Sequence, residues 1–135
     1  MHLVDTNIFI RFLTRDDPKK ADRCFSLLES AGQGTLKLQT TETVVAEVVY
    51  ILSSKRLYNL SRGDVYEKLV PILKTRGLKL SHKRIILVAL EIYSKYTIDF
   101  EDAILIANMR RNKADGIYSY DRRFGKVAGV KRLEP

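Results

Sequence analysis

The amino-acid sequence predicts an α/β fold in which a mainly parallel sheet is covered by helices on both faces. Short apolar segments alternate with longer segments of helical spacing. No hairpin turn signal separates two strand-like segments, and this favours parallel pairing. With 135 residues, of which 45% are hydrophobic, the chain has the size of one domain and can bury a core of its own. We therefore expect a single domain over residues 1–135.

The order of the elements follows from hydrophobic periodicity and from the residues that begin helices. Asp17 followed by Pro18 predicts one helix start, and Ser61 with an acid three residues later predicts another. The threonines at 40 and 41 are expected to cap the helix that follows them. The predicted order is a strand over 1–4, a helix after 7, a helix over 17–31, a strand over 35–39, helices over 42–54 and 61–73, a strand over 77–80, a helix after 81, a helix over 100–113, and strands over 116–120 and 130–133.

The charge balance points to a polyanionic partner. Lys and Arg together number 24 and Asp and Glu number 16, which leaves a net charge of +8 and a long-range field that attracts phosphates. Eight of the basic residues fall in the last 26 positions, against three acids there. An ordinary solvated surface remains the alternative, until the basic groups are found on one face.

The sequence indicates neither a membrane protein nor a disulfide-rich protein. The longest uninterrupted apolar run, over residues 85–90, is six residues, far short of the roughly 20 that a membrane span needs. The N-terminus lacks the pattern of an export signal. The single cysteine, Cys24, cannot form an internal disulfide, and we interpret it as a small buried hydrophobe. We expect a soluble, cytoplasmic protein with no membrane partner.

Two aspartates follow predicted strands. Asp5 follows the first strand and Asp121 the strand over 116–120. In an open parallel sheet the ligand site lies beyond the carboxyl ends of the strands. A local interpretation is also open for each residue, since Asp5 or Asn7 can cap the following helix and Asp121 can begin a turn.

A third acid lies on a predicted helix. Periodicity predicts that the apolar stripe of the helix over 42–54 is formed by Val44, Val48, Ile51 and Leu52. Glu47 is on the edge of this stripe, so we expect its carboxylate to be half turned inward. Glu42 projects about 140° away around the same helix, and we interpret it as a first-turn acid favoured by the helix dipole. Glu47 is therefore the candidate.

A fourth acid lies on the next acidic helix. Asp102 shares a face with Ile106 and Met109, and an unpaired charge among apolar side chains is unfavourable. Such a carboxylate needs a cation or a proton. Asp99 is interpreted first as the N-cap of that helix, with Asp102 three residues later as the alternative part of an acidic capping arrangement.

Gathering several carboxylates in one cleft requires a compensating charge. Two unit charges about 4 Å apart repel by roughly 4 kcal/mol at an effective dielectric constant of 20. With no histidine near these positions and no pair of cysteines, an all-oxygen cluster selects Mg²⁺ or Mn²⁺. In phosphodiester hydrolysis such a metal lowers the pKa of the attacking water. Acids, a metal and a basic surface together indicate a nuclease.

Four segments, in order, resemble the motifs of PIN-domain ribonucleases. They are Val4-Asp5-Thr6-Asn7, Glu47 within Val44–Leu52, Asp99-Phe100-Glu101-Asp102-Ala103, and Ser119-Tyr120-Asp121-Arg122-Arg123-Phe124. The resemblance extends over essentially the whole chain, and within the family it is strongest to the VapC-type toxins of toxin–antitoxin pairs. The family usually has threonine where Ser119 stands, and serine keeps the hydroxyl.

The resemblance implies a three-layer α/β/α fold with a flavodoxin-like sheet and Mg²⁺- or Mn²⁺-dependent cleavage of RNA. It implies homodimers and inhibition by a cognate antitoxin protein. It also implies catalytic and metal-binding roles at four positions and supporting roles at four others. The catalytic and metal set is Asp5, Glu47, Asp102 and Asp121, and the supporting set is Thr6, Asn7, Asp99 and Ser119.

The alternative function is a catalytically idle PIN-like module that binds RNA or serves as a scaffold. Its binding residues would be Tyr118, Tyr120 and Phe124, because aromatic rings between arginines can stack on bases. The same three residues at strand spacing also fit the core, which is the interpretation we favour here. A phosphoacceptor receiver domain lacks support, because the second predicted strand ends in Gln39-Thr40-Thr41 without an aspartate. A phosphatase with an aspartate nucleophile also lacks support, because it requires an acid two residues after Asp5, where this chain has Asn7.

Overall fold

A computed structural model describes all 135 residues of the chain. The chain divides into two compact units, Met1–Lys83 and Arg84–Pro135. Each unit contains its own small parallel sheet and its own helices.

The N-terminal unit contains a three-stranded sheet. Its strands are β1 (His2–Leu3), β2 (Leu38–Thr40) and β3 (Leu78–Leu80), in the order β1-β2-β3. Both pairs are parallel, as the sequence predicts, with Leu38 opposite His2 in β1 and opposite Leu78 in β3. Because the strands are parallel, all three carboxyl ends lie at the same edge of this sheet.

Four helices complete this unit, and their starts follow the predicted capping residues. They are α1 (Thr6–Thr14), α2 (Pro18–Gly32), α3 (Glu42–Ser53) and α4 (Arg62–Leu73). Side chains of Asp17, Thr41 and Ser61 accept hydrogen bonds from backbone N–H groups in the first turns of α2, α3 and α4. Thr40 does not cap α3: it is buried in β2, and its hydroxyl donates to the carbonyl of Val4 at 3.1 Å.

The core of this unit lies between the helices and the sheet, and Phe9, Leu38, Leu52 and Leu69 are fully buried in it. Cys24 is buried as well, as predicted. A close backbone approach occurs at Gly77, just before β3. A Cβ atom at that position would lie 2.3 Å from the carbonyl oxygen of Ala31 and 2.6 Å from that of Leu36, so only glycine fits without a shift of the backbone.

The C-terminal unit contains two long helices and a two-stranded sheet. Helix α5 (Lys83–Lys95) begins at the boundary of the units, and it is followed by α6 (Phe100–Arg111), β4 (Ile117–Tyr118), a short 3₁₀ helix (Arg122–Lys126) and β5 (Arg132–Leu133). Strands β4 and β5 are parallel, with Tyr118 opposite Leu133. Tyr93 and Phe100 pack edge to face, 6.2 Å apart, in the core of this unit.

The strands are shorter than the sequence predicts, because the apolar runs extend beyond the residues that form ladder hydrogen bonds. All three strand pairs are parallel, so the prediction of a parallel α/β architecture is confirmed. No helix is both long enough and apolar enough to span a membrane.

Candidate active site

Asp5 lies just beyond the carboxyl end of β1 and begins helix α1. Its Oδ1 accepts a hydrogen bond from the backbone N–H of Asn7 at 3.1 Å, which makes it the N-cap. The capping interpretation is therefore correct for Asp5, while the side chain of Asn7 is exposed beside it. Capping uses one oxygen of an exposed carboxylate that forms no ion pair. Asp5 thus remains able to bind a cation.

Thr6 and Glu47 are joined by a hydrogen bond between α1 and α3. The Thr6 hydroxyl donates to Glu47 Oε2 at 2.6 Å, and Thr6 itself is 7% exposed. Glu47 is exposed, so the expectation that it is half turned inward was wrong. The physical reason is the rotation of α3, whose buried stripe is formed by Val45, Val48, Val49 and Leu52. The buried hydroxyl instead fixes one oxygen of a solvent-facing carboxylate.

Asp121 follows β4 and begins the 3₁₀ helix. The Ser119 hydroxyl accepts a hydrogen bond from the backbone N–H of Asp121 at 3.0 Å. Asp121 Oδ1 in turn accepts from the backbone N–H of Arg123 at 2.9 Å. Asp121 therefore does begin a turn, as one of its two interpretations predicted, and Ser119 holds the backbone of that turn.

The carboxylate of Asp121 is also paired with a guanidinium. Arg123 Nη2 lies 2.7 Å from Asp121 Oδ2, and Arg123 Nε lies 3.1 Å from each carboxylate oxygen. These hydrogen bonds hold the pKa of Asp121 below its ordinary value. The same Nη2 is 3.8 Å from Asp99 Oδ2. Arg123 lies in the fourth motif, but its pairing with Asp121 was not predicted. An arginine two residues after a strand-end aspartate is the signal in the sequence for this pair.

Asp99 and Asp102 belong to the beginning of α6. Asp99 occupies the N-cap position, but its side chain forms no capping hydrogen bond, so its predicted capping role was wrong. Its exposed carboxylate lies near Arg123 instead. Asp102 is half-buried, and burial raises its pKa, with further contributions from the charges of Asp99 and Asp121. The predicted unfavourable surroundings of Asp102 are thus confirmed.

The residues of both units offer oxygen ligands of the kind that hard divalent cations prefer. All the candidate donors are carboxylates, and both histidines are exposed. The charges of Asp99 and Asp121 add to the effect of burial in raising the pKa of Asp102, and a divalent cation bound to these carboxylates would offset their repulsion. Within neither unit do three or more His, Cys, Asp or Glu side chains lie close enough together to hold a metal ion.

Comparison with known proteins identifies the family. Residues 2–130 match the PIN domain family. The chain belongs to the PIN-domain family. The fold class predicted from the sequence, and the resemblance on which it partly depended, are thereby confirmed.

Three relatives are similar to this PIN domain over nearly their whole length. The chain is 30% identical to a protein named VapC ribonuclease from Aquifex aeolicus strain VF5, over 100% of this chain and 97% of the relative. It is 31% identical to the protein named Ribonuclease VapC13 from Mycobacterium tuberculosis strain H37Rv, over 98% of this chain and 99% of that one. The protein named VapC ribonuclease Mb1869c from Mycobacterium bovis is equally similar. These relatives have the same extent as this PIN domain.

Proposed function

We propose that this protein is an endoribonuclease that hydrolyses RNA phosphodiester bonds with Mg²⁺ or Mn²⁺. The observation that carries the proposal is that Asp121 and Asp99 both lie within 3.8 Å of the Arg123 guanidinium, in a chain of net charge +8. Burial, and then the charges of these two acids, raise the pKa of half-buried Asp102 in the same unit. A protein that only bound RNA would gain nothing from carboxylates that repel phosphate. The full-length similarity to proteins named VapC ribonuclease supports the same activity.

In this proposal the acidic residues are the ligands and their neighbours position them. Asp5 and Asp121 are the principal ligands, and Glu47 and Asp102 complete the set directly or through water. When bound, the cation lowers the pKa of the attacking water and stabilises the charge that develops on the phosphate.

Four supporting residues hold these ligands in place. Thr6 fixes Glu47 Oε2 through its hydroxyl, and Ser119 fixes the turn that presents Asp121. Asn7 supplies the N–H that orients Asp5. Asp99 adds negative charge beside Asp102. Such supporting contacts typically change metal affinity or activity by about 10- to 100-fold.

The test of this assignment is the variant Asp5→Asn. Asparagine caps helices as well as aspartate, so the variant should keep its fold and melting temperature in metal-free buffer. It should lose cleavage of single-stranded RNA, and it should lose most of the rise in melting temperature that millimolar Mg²⁺ gives the natural protein.

The matched control is Asp17→Asn, because Asp17 caps α2 in the same way, through the N–H of Lys20 at 3.2 Å. This variant should cleave RNA and respond to Mg²⁺ as the natural protein does. Full cleavage by Asp5→Asn would contradict the assignment, and so would a melting curve of the natural protein that Mg²⁺ does not move.

The second candidate, an idle RNA-binding or scaffold module, is favoured by one observation: Tyr118 and Tyr120 are 71% and 73% exposed. Exposed aromatic rings among cations are typical of single-strand binding. Metal-dependent cleavage separates the two functions. An idle module would bind the RNA without shortening it, at any Mg²⁺ or Mn²⁺ concentration.

We propose further that the ribonuclease is the toxin of a type II toxin–antitoxin pair, a cytoplasmic homodimer inhibited by a cognate antitoxin protein. The similarity to VapC proteins supports this role. The test is to co-express the chain with any small open reading frame next to its gene. We expect the two proteins to co-purify and the complex to lose RNA cleavage. If no neighbouring product binds or inhibits the chain, the toxin role is wrong while the nuclease proposal stands.

A further inference from the structure

The face of the C-terminal unit next to Asp121 carries two aromatic rings with no role in the core. Tyr118 is 71% exposed and Tyr120 is 73% exposed, whereas Ile117 is buried. The expectation that both tyrosines belong to the core was therefore wrong, and only Phe124 is buried. The reason for Tyr118 is the alternation along β4, which turns residue 117 inward and residue 118 outward. Tyr120 lies beyond the end of β4, in a bend, and is exposed as well.

Basic residues are frequent in the segment that carries the two rings. The segment from 116 to 132 holds five cations and one acid, Asp121, and Asp121 is already paired with Arg123. Arg122 and Lys126 are exposed and form no ion pair.

Lys131 stands on the same side of the sheet as Tyr118. Tyr118 is opposite Leu133 in the parallel register, and Lys131 comes two residues before Leu133, so the alternation of side chains puts it on that face. Gly116, two residues before Tyr118, packs closely against Lys131 on that face, since a Cβ atom at 116 would lie 2.5 Å from the carbonyl oxygen of Lys131 and 3.4 Å from its Cβ. The exposed tyrosine thus has a free ammonium group on its own face.

We propose that Tyr118 and Tyr120 form a stacking surface for unpaired bases of single-stranded RNA, with Lys131 and Arg122 binding the adjacent phosphates. Every base offers a flat face that an exposed aromatic ring can stack on, and cations along the same groove bind the backbone. In a duplex the base faces are already stacked, so this surface selects single strands.

The role of this surface in selecting a substrate rests on the proposed ribonuclease function. Tyr120 directly precedes Asp121, so a base stacked there would place its backbone beside a proposed catalytic ligand. The surface would then select which unpaired nucleotides enter the site. Its own test is a binding measurement that does not depend on cleavage.

The experiment measures fluorescence anisotropy of a fluorescein-labelled single-stranded RNA of mixed sequence, in EDTA, with the full-length protein. Tyr118→Ala and Tyr120→Ala should each weaken binding about five- to 100-fold. Tyr118→Phe and Tyr120→Phe keep the ring and should bind like the natural protein. Tyr66→Ala, on α4 of the other unit, is the control and should bind unchanged.

Salt dependence separates stacking from charge. Arg122→Gln should reduce the slope of log affinity against log salt concentration by about one, because one phosphate contact is lost. The tyrosine-to-alanine variants should weaken binding at every salt concentration without changing that slope. Labelled duplex RNA should bind more weakly than the single strand and respond less to the tyrosine changes.

Several results would overturn the inference. Alanine variants that bind single-stranded RNA as tightly as the natural protein would show that the rings do not contact RNA. If the alanine variants bind RNA unchanged but have a lower mass than the natural protein by light scattering, this face joins two copies of the chain. Equal losses for duplex and single strand would contradict the selection of unpaired bases. If the tyrosines matter for binding but the natural protein cleaves no RNA with Mg²⁺ or Mn²⁺, the stacking surface stands and the ribonuclease proposal fails.

Discussion

Replacing Arg123 with glutamine should increase the affinity of the protein for Mn²⁺. The Arg123 guanidinium donates hydrogen bonds of 2.7, 3.1 and 3.1 Å to the carboxylate oxygens of Asp121. Its Nη2 atom also lies 3.8 Å from Asp99 Oδ2. A divalent cation that uses Asp121 as a ligand must compete with this guanidinium for the same oxygens. Removing the guanidinium also leaves the negative charges near Asp102 less compensated, which favours a cation further.

The size of the effect follows from the exposure of the pair. The side chains of Arg123 and Asp121 are 45% and 31% exposed, so water screens their attraction. Exposed ion pairs change an equilibrium by about two- to fivefold, and bidentate geometry places this one near the upper end. We therefore expect Arg123→Gln to bind Mn²⁺ about fivefold more tightly than the natural protein.

Isothermal titration calorimetry with Mn²⁺ measures this difference in affinity, and Arg122→Gln is the charge-matched control. Both variants lose one positive charge, but Arg122 forms no ion pair, so its loss should change the affinity by less than about twofold. Equal gains in affinity for the two variants, or weaker Mn²⁺ binding by Arg123→Gln than by the natural protein, would show that Arg123 does not compete with the cation for Asp121. Absence of Mn²⁺ binding by the natural protein would refute the metal site itself.

Three further changes test the geometry. Gly77→Ala should lower the free energy of unfolding by roughly 1–3 kcal/mol, because the added Cβ would meet fixed backbone oxygens. Gly63→Ala, in α4 with open space around the added Cβ, should raise the free energy of unfolding by up to about 1 kcal/mol. Denaturant unfolding that shifts the stability of both variants in the same direction would contradict this. Thr6→Val should lower the RNA cleavage rate by about 10- to 100-fold, because Glu47 loses its hydrogen-bond donor, while Thr6→Ser should retain most of the activity; an equal loss in both would show that the hydroxyl is not the cause. The Asp16 carboxylate accepts from the Tyr58 hydroxyl at 2.6 Å, and hydrogen bonds from Tyr58 and Arg11 lower its pKa to about 2 from 3.8, so the stability this contact adds is present above pH 4 and lost as the pH falls towards 2. The difference in melting temperature between the natural protein and Tyr58→Phe should therefore shrink over that interval, and a constant difference would argue against the linkage.

Local features of the fold were predictable because the interactions behind them span only a few residues. Asp17, Thr41 and Ser61 cap their helices as predicted, since a capping side chain bonds to an N–H two or three residues later. Asp5 and Asp121 follow strands as predicted, and each also holds the turn in which it stands. These are properties of short segments.

Features that depend on which face of an element is covered were not predictable in the same way. Helix α3 buries a stripe rotated from the one chosen by periodicity, and Glu47 is consequently exposed. Tyr118 is an aromatic residue of a kind common in cores, but the burial of Ile117 beside it in β4 turns it outward. One residue of phase on a strand decides whether a ring is core or surface.

The parallel α/β class, the helix starts and the candidate acids were predictable from the chain alone, because hydrophobic periodicity and helix capping depend on residues that are only a few positions apart. The partners of those acids depend on how the chain folds: Thr6 contacts Glu47 across 41 positions, and Arg123 contacts Asp99 across 24 positions. Contacts of that separation form when packed elements bring distant backbone together, and the packing depends on every side chain in the core, not on the residues that meet.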